Sequence, residues 1–180
     1  LDERKVIARR AALELSEGAV TNLGIGIPAG IPSIAAEEGV ADLLTLSIES
    51  GVNGGIPAQG GDFALAYNAE SIIEQSAQFD FYDGGGLDAS FLGLAQTDNR
   101  GNVNVSKFNG RPVGCGGFVN ITRSTKKLVF CGSFTAGGLE VEVGGGQLRI
   151  KQEGKVQKFI EAVEQITFNG LDAATRGQEV

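Results

Sequence analysis

The stretch Asp42-Leu-Leu-Thr-Leu-Ser-Ile48, followed at once by Glu49-Ser-Gly-Val-Asn-Gly-Gly-Ile-Pro-Ala-Gln-Gly-Gly-Asp62, decides the fold. The apolar run is bounded by Gly39 before it and by five glycines after it, which is the length and punctuation of a buried strand. Glu49 then sits at the carboxyl end of that strand, at the mouth of a glycine loop. In open α/β sheets ligands bind outside the carboxyl ends of the strands, and glycine lets the backbone turn at positive φ or approach a ligand closely. Glu49 is therefore a candidate functional carboxylate. The residues alone equally admit a solvated glutamate at the edge of a turn.

Toward the amino terminus, residues 2–17 read as an amphipathic helix, with Asp2 as N-cap and Val6, Ala8, Ala11, Ala12 and Leu15 near helical spacing; Gly18 follows. Residues 19–25 form a short apolar strand that runs into Gly24-Ile-Gly-Ile-Pro28. A helix over residues 31–38 follows and stops at Gly39. With the strand that ends at Glu49, this is a strand, crossover helix and strand, an arrangement that implies parallel pairing.

Toward the carboxyl terminus, residues 68–78 read as a helix capped by Asn68, with Ile72 and Ile73 on its face. In Phe79-Asp-Phe-Tyr-Asp-Gly-Gly-Gly-Leu-Asp88 the aromatics alternate with aspartate before three glycines. This is expected to be a short strand feeding a turn, either a cofactor-facing loop or a hairpin corner. Residues 89–97 and 103–108 make a hairpin across Asp98-Asn-Arg-Gly-Asn102. In Gly114-Cys-Gly-Gly-Phe-Val-Asn-Ile-Thr122 glycines lead into a helix, so unpaired N–H groups and the positive end of a helix dipole meet at one point. Gly116 and Gly117 are thus candidate oxyanion donors, the alternative being close packing of helix on sheet. A strand over residues 126–133 carries Cys131 into the core. Residues 139–143 and 147–151 pair across Gly144-Gly-Gly146, and residues 162–168 are a last strand before a polar tail. The order of elements gives an α/β fold: a mostly parallel sheet flanked by helices, with added hairpins.

Composition restricts the chemistry. At 180 residues, with 42% hydrophobic and 21% charged, the chain has the size and content of one domain with a sizeable core, and no repeat or second domain is evident. A net charge of −7 leaves no general basic surface for nucleic acid or an anionic membrane. Any anionic ligand must be held by backbone N–H groups and helix N-termini. With no histidine in the chain, His-containing zinc sites and triads that draw their histidine from this chain are excluded. No metal site is expected. Cys115 reads as a small hydrophobe, and both cysteines as reduced thiols of a cytoplasmic protein. No apolar run approaches the length of a membrane span. A chain that begins at Leu1 and has no methionine reads as a fragment of a longer one.

A dinucleotide fingerprint would also place a glycine-rich turn first and an acidic residue at the end of the second strand, as Glu49 is here. The glycines of Gly24-Ile-Gly-Ile-Pro-Ala-Gly30 do not fit it, and Pro28 removes a donor that could face a pyrophosphate. Nicotinamide binding is the alternative function, with a non-catalytic ligand-binding or docking module beside it.

Taken together, Asn22-Leu-Gly-Ile-Gly-Ile-Pro28, Glu49-Ser-Gly-Val-Asn-Gly-Gly-Ile-Pro57, Phe79-Asp-Phe-Tyr-Asp-Gly-Gly-Gly-Leu-Asp88, Gly101-Asn-Val-Asn-Val-Ser106 and Gly114-Cys-Gly-Gly-Phe118 resemble the family I coenzyme A transferases of the short-chain acyl, acetate and propionate type. The resemblance covers nearly the whole chain, and in that family these motifs lie in the C-terminal half or the β subunit. It implies a NagB/RpiA/CoA-transferase-like domain that transfers coenzyme A between a short-chain acyl-CoA and a free carboxylic acid. Glu49 matches the glutamate that forms the acyl anhydride and then the CoA thioester. Gly116 and Gly117 match the oxyanion donors, and Gly24, Gly26 and Gly116 the CoA contacts. It further implies CoA as substrate with no permanently bound cofactor, an N-terminal, α-type half as partner, and a homo-oligomer. The family often has Glu-Asn-Gly where this chain has Glu49-Ser-Gly51, a departure shared with the acetate and propionate branch.

Overall fold

The computed structural model describes residues 2–58 and 60–180; Leu1, and Gln59 in the glycine loop, lie outside the described residues. Helix α1 (Glu3–Ala12) is followed by β1 (Val20–Leu23), α2 (Ile31–Glu37), β2 (Thr45–Ile48) and β3 (Val52–Asn53). The six-stranded sheet runs in the order Lys127–Cys131, Ala89–Gly93, β1, β2, β3, Ser71–Ile72. Its first four strands are parallel, β3 runs antiparallel to β2, and Ser71–Ile72 antiparallel to β3. The expected strand, helix and strand unit is present, with Val20 opposite Thr45 and Asn22 opposite Ser47.

Because alternate residues of a strand face opposite sides, the sheet builds two cores. On one face Leu23, Leu46, Phe91 and Cys131 pack against Ala8 and Ala11 of α1 and Ile31 and Ile34 of α2. On the other, Leu92 and Leu128 pack against Tyr82 of α3 (Gln75–Asp83), Phe118 and Ile121 of α4 (Phe118–Ser124), and Ala173 of α5 (Gly170–Thr175). No helix among the described residues is long and apolar enough to cross a membrane.

Several local expectations need correction. Asp2 does cap α1, accepting the Lys5 amide at 2.9 Å, but the helix ends at Ala12. Beyond it the chain turns to reach β1, and the Gly18 amide is tied to the Leu43 carbonyl at 2.9 Å. The run that begins at Asp42 opens as a 3-10 turn over Ala41–Leu43, and only Thr45–Ile48 is strand.

The helix expected over residues 68–78 is absent. Asn68 has φ +56, Ser71–Ile72 is an edge strand on β3, and α3 begins at Gln75 and runs through the aromatic stretch expected to be extended. Alternation of Phe79 and Phe81 imitates a strand, yet Gln78 and Tyr82, one helical turn apart, are both fully buried. Burial of that face on the sheet overrides the local pattern.

The hairpin expected from residue 89 is confined to Gln96–Thr97 with Val103–Asn104, because Ala89–Gly93 is taken up between two parallel neighbours. The late strand over residues 162–168 reduces to one bridge between Val103 and Phe168. The polar tail contains α5, capped by Asn169, whose side chain accepts the Asp172 amide at 3.0 Å. The hairpin of Glu140–Gly144 with Gln147–Gln152 is as expected, its turn made by Gly145 and Gly146 at φ +57 and +75.

Phe91 is fully buried at the centre of the first core. Phe91→Ala should lower unfolding stability by about 3–5 kcal/mol, read from urea midpoints. A loss below about 1 kcal/mol would place the stabilising core elsewhere.

Candidate active site

Glu49, Ser50 and Gly51 form the turn between β2 and β3, in which Ile48 pairs with Val52 and Ser47 with Asn53. Glu49 is therefore the first residue beyond the carboxyl end of a parallel strand. Gly51 closes the turn at φ +106, and a Cβ there would lie 2.0 Å from the Ile73 carbonyl oxygen. Only glycine fits, so the sharp turn that presents Glu49 follows from the residue at 51.

The half-buried Glu49 is held from the side by Asn22, the third of the four residues of β1. Asn22 Nδ2 donates to Glu49 Oε2 at 3.2 Å and to the Ser47 carbonyl oxygen at 3.2 Å, with the Tyr82 hydroxyl further off at 3.5 Å. Two N–H bonds thus serve the carbonyl and the carboxylate. Glu49 Oε1 carries no hydrogen bond among the described residues. The opposite amide orientation would set Asn22 Oδ1 against two oxygen acceptors, so the partners fix the assignment.

Beneath this pair lies a closed ring of polar side chains, Ser47 and Gln78 buried and Asn53 half-buried. Ser47 Oγ donates to Asn53 Oδ1 at 2.8 Å, Asn53 Nδ2 to Gln78 Oε1 at 2.8 Å, and Gln78 Nε2 back to Ser47 Oγ at 2.8 Å. The remaining lone pair of Ser47 Oγ takes the Tyr82 hydroxyl proton at 2.7 Å. Burial pushes the Tyr82 phenol above its ordinary range, with the Glu49 charge adding to the effect, so the hydroxyl stays a donor. Among the described residues, Asn22 Oδ1 is the buried side-chain polar atom without a partner. Such an orphan costs about 1–3 kcal/mol.

Sequence reading gave no role to Asn22, Ser47, Asn53, Gln78 or Tyr82. Asn22 stood inside a recognised motif, but its place beside Glu49 needs the β1–β2 register and the ring needs the helical placement of 78 and 82, neither of which is legible locally.

Gly24 continues the ladder of β1, its amide donating to the Phe91 carbonyl at 2.8 Å, and a Cβ there would meet Leu92 at 3.1 Å. Gly26, at φ +84, is exposed with open space beside it. A cavity of about 360 Å³ opens against Ile25, Gly26 and Ile27, with Gly93, Leu94 and Lys158 on its other walls. It lies at the carboxyl ends of β1 and Ala89–Gly93, whose following segments leave in opposite directions along the sheet, a position where α/β folds bind ligands. A larger cavity of about 780 Å³, between α1 and α2, includes Leu43 and Leu44 at the other end of β2, away from Glu49.

Gly116 and Gly117 precede α4, and neither amide has a hydrogen-bond partner among the described residues. Gly116 is exposed at φ +54, whereas a Cβ on Gly117 would lie 2.8 Å from the Phe79 ring. Helix α3 thus links the two motifs: Phe79 touches Gly117, and Tyr82, one turn on, reaches Ser47 beneath Glu49. Cys115 is half-buried, and Cys131 is buried with its thiol pushed up to about 11. No group of three or more His, Cys, Asp or Glu among the described residues is placed to hold a metal ion.

No family model matches the chain. Curated relatives do. The chain is 52% identical over 185 residues to a caffeate CoA-transferase of Acetobacterium woodii, covering 100% of this chain and 35% of that one. It is 49% identical over 180 residues to the acetate CoA-transferase YdiF of Escherichia coli K12, covering 100% and 34%. A solved structure of the acyl-CoA transferase YdiF from E. coli O157:H7, in a thioester complex with CoA, superposes with a TM-score of 0.91 at 48% identity, over 98% of this chain and 33% of that one. The chain therefore spans about a third of the length of these relatives. Nothing among them supports a nicotinamide-binding or docking module. The sheet, the order of the motifs and identity across the full chain together show that it belongs to the family I coenzyme A transferases, corresponding to their C-terminal part.

Proposed function

We propose that this chain, together with the complementary part of a longer or two-subunit enzyme, transfers coenzyme A between an acyl-CoA and a free short-chain carboxylic acid. The observation that carries the reading is the Glu49 carboxylate at the carboxyl end of β2, one oxygen held by Asn22 and the other without a hydrogen bond among the described residues. A carboxylate suits this reaction. The anhydride it forms is of comparable reactivity to the thioester it attacks, so Glu49 needs no histidine to activate it.

Glu49 attacks the acyl-CoA carbonyl and releases CoA thiolate, leaving an acyl-glutamyl anhydride. The thiolate then attacks the glutamyl carbonyl, giving a glutamyl-CoA thioester and free acid, and an incoming carboxylate reverses both steps. Gly116 and Gly117 supply N–H donors to the oxyanion on the acyl carbon, where loss of one donor typically costs about 100- to 1000-fold in rate. CoA runs over Gly26 and the cavity at the carboxyl ends of the strands, with Gly24 shaping the turn and Gly116 at its reactive end. The rest of the CoA site and the acyl pocket belong to the complementary part. Relatives named for acetate and for caffeate bracket the acids to be tried.

In the assembled enzyme, Glu49→Ala and Glu49→Gln should abolish exchange while unfolding stability stays within about 1 kcal/mol of wild type. Exchange that survives either substitution rejects the mechanism. Incubation with acyl-CoA and no acceptor should add the mass of CoA, less water, to the peptide carrying Glu49. Finding the acyl group itself on Cys115 instead would point to thiol chemistry.

A further inference from the structure

A net charge of −7 predicts that an anionic ligand meets backbone donors, yet the fold brings two cations to the cavity beside Gly26. Lys158 is half-buried, and its Nζ donates to the Leu94 carbonyl at 3.2 Å, so two of its three protons have no acceptor among the described residues. Arg4, in the first turn of α1, is exposed and lines the same cavity. Glu3 lines it as well, but neither cation forms an ion pair among the described residues. We propose that Arg4 and Lys158 bind the pyrophosphate of coenzyme A. The proposal rests on the reading of the chain as part of a CoA-transferase, and it names the side chains that meet the nucleotide end of the substrate.

Both cations are held in place by the fold. Lys158 sits on a segment clamped from two sides: its amide donates to the Phe134 carbonyl at 3.0 Å, and its carbonyl accepts the Thr97 amide at 2.7 Å. Arg4 is fixed through the helix that Asp2 caps. Holding them together is costly. Burial pushes the Lys158 ammonium below its ordinary range, and the charge of Arg4 adds to the effect. A half-buried cation without a counter-charge destabilises the fold, and an anion set between the two relieves both the missing partner and the repulsion. Gly26, Gly137 and Gly138, all at positive φ, leave stretches of the cavity wall without side chains, so a phosphate can approach the backbone there.

Chemistry and distance select the pyrophosphate. A short monocarboxylic acid has one anionic group, and that group reacts at Glu49. CoA carries further negative charge. Lys158 Nζ lies against Leu94, one residue beyond Ala89–Gly93, and β1 separates that strand from β2. Two strand spacings put this position about 10 Å from the line of β2, and Cys131 on the next strand is about 14 Å away. The pantetheine arm between thiol and pyrophosphate is a chain of four to five peptide lengths, on the order of 15 Å. With the thiol at Glu49 the arm crosses the end of β1 at Gly24 and Gly26, and the pyrophosphate falls in the part of the cavity that Lys158 and Arg4 line. Lysine suits a phosphate as a point charge, and arginine as a fork that spans two oxygens.

The test uses the chain assembled with its complementary part and reads the dissociation constant of CoA by calorimetry. Lys158→Met should weaken CoA about 10-fold or more, and Arg4→Gln about three- to tenfold, the order that a hydrogen bond to a charged group contributes. Lys158→Arg, which keeps the charge, should bind CoA within about threefold of wild type. For acetyl-pantetheine, which has no phosphate, kcat/KM should stay within about twofold of wild type in every variant. Dephospho-CoA, which keeps the pyrophosphate and lacks the 3′-phosphate, should show the same loss as CoA in Lys158→Met, and KM for acetate as acceptor should not change. CoA binding within about twofold of wild type in both Lys158→Met and Arg4→Gln overturns the subsite. So does an equal loss for acetyl-pantetheine, the mark of general damage to the site. A loss that vanishes with dephospho-CoA moves the pair to the 3′-phosphate, and a rise in KM for acetate alone moves it to the acid; either overturns the pyrophosphate assignment. Failure of the wild-type assembly to bind or exchange CoA at all would overturn the transferase reading instead.

Discussion

Parallel pairing of β1 with β2, in the register that sets Asn22 opposite Ser47, is the constraint on which the site depends. A slip of one residue would turn Asn22 to the other face of the sheet and put Leu23 or Thr21 in its place. Register is held by the two apolar cores, because the same slip would take Leu23 out of the first core and turn Asn22 into it. Hydrophobic burial thus sets the position of a polar group with a precision that the weak Asn22 hydrogen bonds could not supply alone.

The polar ring under Glu49 is possible because it closes. Ser47, Asn53, Gln78 and Tyr82 come from β2, β3 and α3, and each of their buried hydrogen-bonding atoms has a partner. A partly satisfied set would cost more than an apolar core. Closure also couples α3 to the Glu49 turn, so the helix that touches Gly117 through Phe79 shares a rigid support with the carboxylate. Charged pairs on the surface, such as Lys127 with Glu14 and Glu179, join elements far apart in sequence. Lys127 and Glu14 are half-buried and Glu179 is exposed, and pairs this close to solvent contribute little to stability beside the cores.

The places where local reading failed share one cause. Residues 79–82 look extended because aromatic and acidic residues alternate, yet they are helical because Gln78 and Tyr82 must both reach the sheet. Ala89–Gly93 looks like half of a hairpin, yet it is recruited by β1 and Lys127–Cys131, partners that local pattern does not name. Phe168 looks like part of a strand, yet it is buried by packing against Phe130, the ring centroids 5.1 Å apart and the planes tilted by 58°, after which α5 covers the same core. Each time a long-range contact outweighed a local preference worth a few tenths of a kcal/mol per residue.

By itself the sequence determined the α/β class, the crossover from β1 to β2, the glycine turn that presents Glu49, and the motif order that marks the family. All of these are written in short-range apolar periodicity and in glycines whose backbone geometry no other residue adopts cheaply. Only the tertiary structure decided which side chains surround Glu49. Asn22 and Glu49 are 27 residues apart and Ser47 and Tyr82 are 35 apart, and they meet because strands pair and helices pack. A hydrogen bond depends on tenths of an ångström and on which face of an element a side chain occupies, and neither is encoded in local composition.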